Sequence, residues 1–237
     1  MIYIYLIRLI LNLPGIFLIW LSGSRQKSTK GNRKLDPGFQ FLLKHMGKVD
    51  PSKIDLSLSS SDIRKIISIA QDDIKSLEKP LAKGVSYKDH QVKGEGGSIR
   101  VREYTLKELS NNAPALIYFH GGGWVLMNIE SHHAFTGFLS KTLEAKVFSV
   151  DYRLAPENPY PAALNDFDAV FDWLELNHAE LGIDPQRISV GGDSAGGNLS
   201  ACISIRRQAE GKNLPKAQLL IYPCLLYTSD AADDLVG

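Results

Sequence analysis

Two short stretches of the chain hold residue types and spacings suited to chemistry. Gly192-Asp193-Ser194-Ala195-Gly196 reads G-x-S-x-G, follows the apolar run Ile188–Val190 and opens a helical stretch. A serine on a sharp strand-to-helix turn presents its hydroxyl clear of the sheet, and the flanking glycines let helix and strand approach closely. The helix N-terminus sets the Ala195 N–H beside any oxyanion that attack by Ser194 would create. On its own the pentapeptide is equally consistent with a turn whose serine merely caps the helix. A second stretch, Tyr118-Phe119-His120-Gly121-Gly122-Gly123-Trp124, ends another buried strand. Acyl transfer forms a tetrahedral oxyanion, and backbone N–H groups aimed at it lower the barrier. Consecutive glycines turn their amides inward without side-chain obstruction, so Gly122 and Gly123 are candidate oxyanion donors, with Ala195 as the third. His120 is read as loop support through a hydrogen bond, not as a general base. The two motifs, each after its own strand, together point to nucleophilic acyl transfer by Ser194.

The neighbouring polar residues have plainer readings. Asp193 is too close in sequence to Ser194 to orient a base for it and is expected to be structural. Tyr152, Arg153 and Glu157 are read as a hydrogen-bond and ion-pair knot beside a buried strand. His45, His90, His133 and His178 are read as surface or packing residues, and Cys202 as a core residue on the helix after Ser194. Trp124 either lines an acyl pocket or packs the loop. All six histidines precede Ser194, and a serine hydroxyl without a base is a poor nucleophile at neutral pH.

Positioning these motifs requires an alternation of strands and helices. Strands are expected at Val85–Val92, Ile99–Tyr104, Ala115–Phe119, Ala145–Tyr152, Ile188–Val190 and Gln218–Tyr222, with a glycine-rich turn at Gly94–Gly97. Helices are expected at Pro37–Met46, Ser59–Leu77, His133–Leu143, Ala162–Glu180 and Ala195–Glu210. The pattern implies an α/β fold with a mostly parallel sheet and helices on both faces. Composition agrees with a globular domain: 237 residues, 44% hydrophobic. A net charge of +1 leaves no electrostatic footprint for nucleic acid. Two cysteines supply neither a disulfide framework nor a four-ligand zinc site.

Residues 1–23 are apolar apart from Arg8, Asn12 and Ser22, and Arg25, Lys27, Lys30, Arg33 and Lys34 follow. About 20 apolar residues span a bilayer, whereas Arg8 and Pro14-Gly15 interrupt the run. A spanning anchor and an interfacial helix therefore both stay open, as does an apolar helix covering the core. The corresponding location is cytoplasmic, or membrane-associated and facing the cytoplasm.

On His120–Trp124, Asp151-Tyr152-Arg153-Leu154-Ala155-Pro156-Glu157 and Gly192–Gly197, the chain resembles the hormone-sensitive-lipase-like branch of the α/β-hydrolase fold. That branch includes arylacetamide deacetylases and bacterial carboxylesterases. Glu130, His132 and Pro161-Ala162-Ala163 fit the same pattern, and Met127 departs from it where the family often has glycine. The resemblance implies an N-terminal helical cap and a serine carboxylic-ester hydrolase acting on a small-molecule ester without metal or organic cofactor. It also implies a triad in the order Ser, acid, His, of which only Ser194 is present. Non-catalytic small-molecule receptors of the same fold are the alternative, because both motifs survive loss of the histidine. Residues 224–237 resemble a translated sequencing-library adapter and read as non-native, so the C-terminal part of the fold is expected to be missing. The organisation expected is an apolar segment (1–24), linker and cap helices (25–84), an incomplete hydrolase core (85–223) and a tail (224–237). A fragment of this kind is expected to be inactive.

Overall fold

The computed structural model describes residues 80–225 without a break, together with residues 10, 12–23, 25–27, 34–45, 59 and 62. The chain divides into two units, residues 1–78 and 79–237. In the first unit, α1 (Gly15–Leu21) follows Pro14, and α2 is Pro37–His45. Among the described residues, no helix is long and apolar enough to cross a membrane. Apart from Ser59 and Asp62, whose backbone N–H donates to Ser59 Oγ at 3.2 Å, the helix expected over Ser59–Leu77 lies outside the described residues, as do the residues of the C-terminal tail after Leu225.

The second unit is built on a six-stranded sheet. Its strands are β1 (Val85–Gly94), β2 (Gly97–Leu106), β3 (Ala113–Phe119), β4 (Lys146–Asp151), β5 (Ile183–Asp193) and β6 (Gln218–Ile221), in the spatial order β1-β2-β4-β3-β5-β6. β1 and β2 form a hairpin closed through Gly94 and Gly97, and β2 also runs antiparallel to β4. From β4 onward every pairing is parallel, as the alternation of strands and helices requires. The helices are α3 (His133–Leu143), α4 (Ala162–Leu176), α5 (His178–Leu181) and α6 (Ala195–Ala209). The stretch expected as one helix over Ala162–Glu180 is thus two, divided at Asn177.

β3 shows why the sheet sits where it does. Ile117 and Phe119 point into the larger core cluster, with Phe148 and Val150 of β4, Val190 of β5, Phe167 and Phe171 of α4, and Leu199 and Ile203 of α6. The alternate residues Leu116 and Tyr118 join Tyr104, Leu139 and Val147 in a second cluster on the other face. The two-residue period of a strand is satisfied on both sides, and a strand buried on both faces needs an unbroken apolar run. Phe119 stacks flat on Phe167, with ring centroids 3.8 Å apart. In register, Phe119 lies opposite Val150 on one side and Gly192 on the other. The ends of β3 and β5, where the two motifs begin, are therefore neighbours.

Candidate active site

Ser194 joins β5 to α6 with φ +50° and ψ −117°. A positive φ in a non-glycine residue costs on the order of 1–3 kcal/mol and persists only where the surroundings over-determine it. The surroundings do so here. Ser194 N donates to Ile221 O at 2.9 Å, and Asn198 N donates to Ser194 O at 2.9 Å. Glycine at 196 is a steric necessity, since a Cβ there would collide with the backbone of Phe119 at the end of β3. The Ser194 side chain makes no capping hydrogen bond to α6, so the hydroxyl is not spent on the helix. Ala195 is the first residue of α6, a position whose N–H has no intrahelical acceptor.

The glycine loop lies against this turn. Gly121 N donates to Asp193 Oδ1 at 3.0 Å. Gly122 takes φ +123°, and a Cβ there would strike the Leu126 carbonyl. The loop closes on itself as Leu126 N donates to Gly122 O at 2.9 Å. Among the described residues, no hydrogen bond is made by the Gly122 or Gly123 N–H. Met127, the departure from glycine, adopts φ +72°, the region that glycine occupies without strain.

Asp193 clamps loop to turn. Its Oδ1 also accepts from Tyr118 Oη at 2.6 Å and lies 3.2 Å from His132 Nε2. Burial raises its pKa, but the hydrogen bonds from His132 and Tyr118 prevail and hold it at about 2. Burial likewise pushes the Tyr118 hydroxyl well above the usual phenol range, and the adjacent carboxylate adds to that. This is the structural role expected of Asp193. Tyr118 and His132 were not legible as its partners. The available signal was a tyrosine on an otherwise apolar, fully buried strand, since a buried hydroxyl needs a partner.

His120 is fully buried. Its Nδ1 lies 2.7 Å from Gly121 O. A carbonyl only accepts, so Nδ1 carries the proton in that bond. Tyr152 Oη donates to His120 O at 2.8 Å, and the two rings stack at 4.4 Å. Among the described residues, His120 Nε2 is buried without a partner, and burial lowers the imidazole pKa to about 4. Of the knot expected from Tyr152, Arg153 and Glu157, Arg153 pairs with a residue outside it, the buried Asp166, at 2.8 Å. Glu130 binds Arg100 and Arg102 at 2.8 and 2.9 Å, tying the segment after the glycine loop to β2. His90 pairs with Glu103, His133 with the Tyr104 hydroxyl and His178 with the Glu175 carbonyl. The side chain of His45 lies outside the described residues.

A cleft of about 420 Å³ opens beside the loop, with an almost wholly apolar lining. Trp124, Val125, Leu164, Leu199 and Cys202 form much of its wall. Trp124, read as lining an acyl pocket or packing the loop, lines this cleft and packs on the core. Cys202, expected in the core, packs against the core at the cleft wall and is only half-buried. Among the described residues, no cluster of side chains could hold a metal ion. Among the described residues, the Ser194 hydroxyl and the Gly122 and Gly123 N–H groups make no hydrogen bond, and of these residues Gly123 lines the cleft.

The chain is similar to known hydrolases. A family model described as alpha/beta hydrolase fold matches residues 116–235. The chain is 40% identical over 161 residues to the carboxylesterase NlhH of Mycobacterium tuberculosis, covering 66% of this chain and 50% of that protein. It is 35% identical over 141 residues to the hormone-sensitive lipase of Ictidomys tridecemlineatus, covering 60% and 18%. Among solved structures, EstE1, a thermophilic carboxylesterase from a metagenomic library, superimposes with a TM-score of 0.67 at 39% identity, covering 74% of this chain and 59% of that one. The chain spans about half the length of the carboxylesterases it matches.

Proposed function

We propose, for a chain that belongs to the alpha/beta hydrolase fold family and to its carboxylesterase and hormone-sensitive-lipase branch, that it carries the nucleophile and the oxyanion donors of a serine carboxylic-ester hydrolase. Ser194 attacks the ester carbonyl. The N–H groups of Gly122, Gly123 and Ala195 receive the developing oxyanion, and His120 holds the loop that presents the two glycines. The alcohol leaves, and water then releases the acid from the acyl-enzyme. The substrate is a small ester whose acyl or alcohol chain fits the apolar cleft. No metal or organic cofactor takes part in this scheme.

The observation that carries this reading is the state of Ser194. It sits at positive φ between β5 and α6, and its side chain forms no cap. A serine present only to cap the helix would adopt the extended cap geometry, and its oxygen would accept a hydrogen bond from one of the first N–H groups. Strain without that compensation fits a nucleophile held in place by the fold.

Proton transfer needs a further group. All six histidines precede Ser194, and among the described residues none is hydrogen-bonded to its hydroxyl. In this scheme the base is a histidine supplied from outside these 237 residues and oriented by a carboxylate. The carboxylesterase and lipase names of the relatives favour this reading over a receptor of the same fold. Hydrolysis of p-nitrophenyl butyrate tests both parts. The 237-residue chain should hydrolyse it no faster than its own Ser194→Ala variant. A full-length protein that supplies the histidine should turn it over, and Ser194→Ala should remove that turnover. Undiminished turnover in the full-length variant would refute the assignment, and Ser194-dependent turnover by the 237-residue chain would refute the missing base.

A further inference from the structure

The unit formed by residues 1–78 has its own two-sided design. α1 turns Leu18 inward, where it is buried, as is Phe41 of α2. Gln40 of α2 fastens the pair: its Nε2 donates to Ser22 Oγ at 2.7 Å, and its Oε1 accepts from Lys27 N at 2.8 Å. Gln26 Nε2 adds a bond to Leu35 O at 2.8 Å. The helices are thus fixed to each other by buried polar contacts as well as by packing.

The other side of α1 and the turn before it carry Leu13, Ile16, Phe17 and Trp20, exposed by 38, 73, 53 and 75%. Ile16, Phe17 and Trp20 share one face of α1, and Leu13 lies in the turn before it. Single exposed apolar side chains are ordinary, but three on one helical face with a fourth in the turn before it, two of them large aromatics, form a surface that water does not stabilise. Trp in particular favours the boundary between hydrocarbon and lipid headgroups.

Charge identifies the occupant. Arg8, Arg25, Lys27, Lys30, Arg33 and Lys34 precede Asp36, the first acidic residue, although the whole chain carries only +1. Arg25, Lys27 and Lys34 are exposed among the described residues, and Lys44 of α2 is exposed as well. The Lys44 ammonium lies against Gly23, just past the C-terminal end of α1. Seven helical residues reach only about 10 Å along the axis, too short for a hydrocarbon core of about 30 Å, and Pro14 lies just ahead of the helix.

We propose that this helix pair docks on an anionic phospholipid surface. α1 lies along the interface with Leu13, Ile16, Phe17 and Trp20 among the acyl chains, and the basic residues meet the headgroups. The inference stands apart from the ester-hydrolase reading, because it uses no residue of the catalytic turn or the glycine loop.

Flotation of the 237-residue chain with vesicles tests it. Vesicles of phosphatidylcholine with 30% phosphatidylglycerol should carry the chain upward, and vesicles of phosphatidylcholine alone should carry at least tenfold less. Raising the salt from 0.1 to 0.5 M should weaken the anionic binding severalfold, since the Debye length shrinks. The variant I16S/F17S/W20S changes only exposed side chains and should lose at least tenfold in binding with an unchanged circular-dichroism spectrum. A second variant, R25Q/K27Q/K34Q, keeps the apolar stripe and should lose the preference for anionic lipid. Lipids brominated at carbons 6 and 7 should quench the Trp20 emission, isolated by difference from Trp20→Phe, more than lipids brominated at carbons 11 and 12. Wild-type binding by the serine variant, or equal binding to neutral vesicles, would overturn the proposal. So would deeper quenching, which marks a spanning segment, or a dimer that the serine variant abolishes, which marks a second copy as the occupant.

Discussion

Replacing Asp193 separates its charge from its shape. In the folded chain its pKa stands at about 2, against 3.8 for the free side chain, a difference worth about 2 kcal/mol at neutral pH. The side chain is only 13% exposed, so solvent screens little of this. Asp193→Asn keeps an oxygen that can accept from Gly121 N and Tyr118 Oη but removes the charge. At pH 7 it should cost about 2 kcal/mol, which moves a urea midpoint by roughly 1 M for a typical denaturant slope. A depressed carboxylate contributes stability that is fully present above the unfolded pKa and is lost as pH falls through the folded one. The gap between wild type and Asp193→Asn should therefore hold down to about pH 4 and close towards pH 2. Asp193→Ala also strands the Gly121 N–H and the Tyr118 hydroxyl, each at about 1–3 kcal/mol, so it should cost about 4 kcal/mol or more at pH 7. Urea unfolding followed by circular dichroism between pH 7 and pH 2.5 measures all three proteins. A loss below 0.5 kcal/mol for Asp193→Asn at pH 7, or a gap that stays constant into acid, would refute the reasoning.

Other outcomes follow from the same geometry. Ser194→Gly removes the positive-φ strain and should raise stability by about 1 kcal/mol in thermal unfolding, while abolishing any Ser194-dependent hydrolysis. Gly196→Ala drives a methyl into the Phe119 carbonyl and should destabilise the chain by about 3 kcal/mol, seen as loss of the cooperative urea transition or a large fall in its midpoint. His120, with its folded pKa lowered to about 4 from 6.5, contributes stability present above pH 6.5 and lost as pH falls to about 4, roughly 3 kcal/mol in all; in His120→Phe the urea midpoint should change less over that range. Arg207 is 1% exposed and bridges Asp168, Asp172 and Glu175, so Arg207→Met should leave Glu175 without its cation and Asp168 and Asp172 with Lys212 alone, at a cost of about 3 kcal/mol in urea unfolding.

The parts of the site legible in the sequence were those written in backbone constraints. Glycines at 122, 192 and 196 record positive φ or close approach, and these constraints are local enough to read along the chain. β3 was legible for a similar reason, since burial on both faces forces an unbroken apolar run. β5 was visible only at Ile188–Val190, because Asp184, Gln186 and Arg187 lie at its polar beginning and Gly191-Gly192-Asp193 has no apolar pattern. Contacts between distant segments left no trace in spacing. Asp193 reaches Tyr118, 75 residues earlier, and only the parallel register of β3 and β5 brings them together. Arg207 carries no local signature of its burial. It is buried because α4 presents Asp168, Asp172 and Glu175 on one face towards α6, and Phe171 beneath them stacks on the guanidinium at 4.0 Å. The cleft was equally hidden, since its wall is assembled from the glycine loop, the start of α4 and the first turns of α6.

The central claim is that Ser194 is the nucleophile. A p-nitrophenyl alkylphosphonate traps such a serine as a stable ester that mimics the tetrahedral intermediate. Treating the full-length, histidine-supplying protein with it and fragmenting the tryptic peptide Ile188–Arg206 in a mass spectrometer locates the adduct. The account predicts one phosphonyl group per chain, on Ser194 and not on Ser189, Ser200 or Ser204, with no labelling of Ser194→Ala. An adduct on any other residue, or equal labelling of Ser194→Ala, would contradict it.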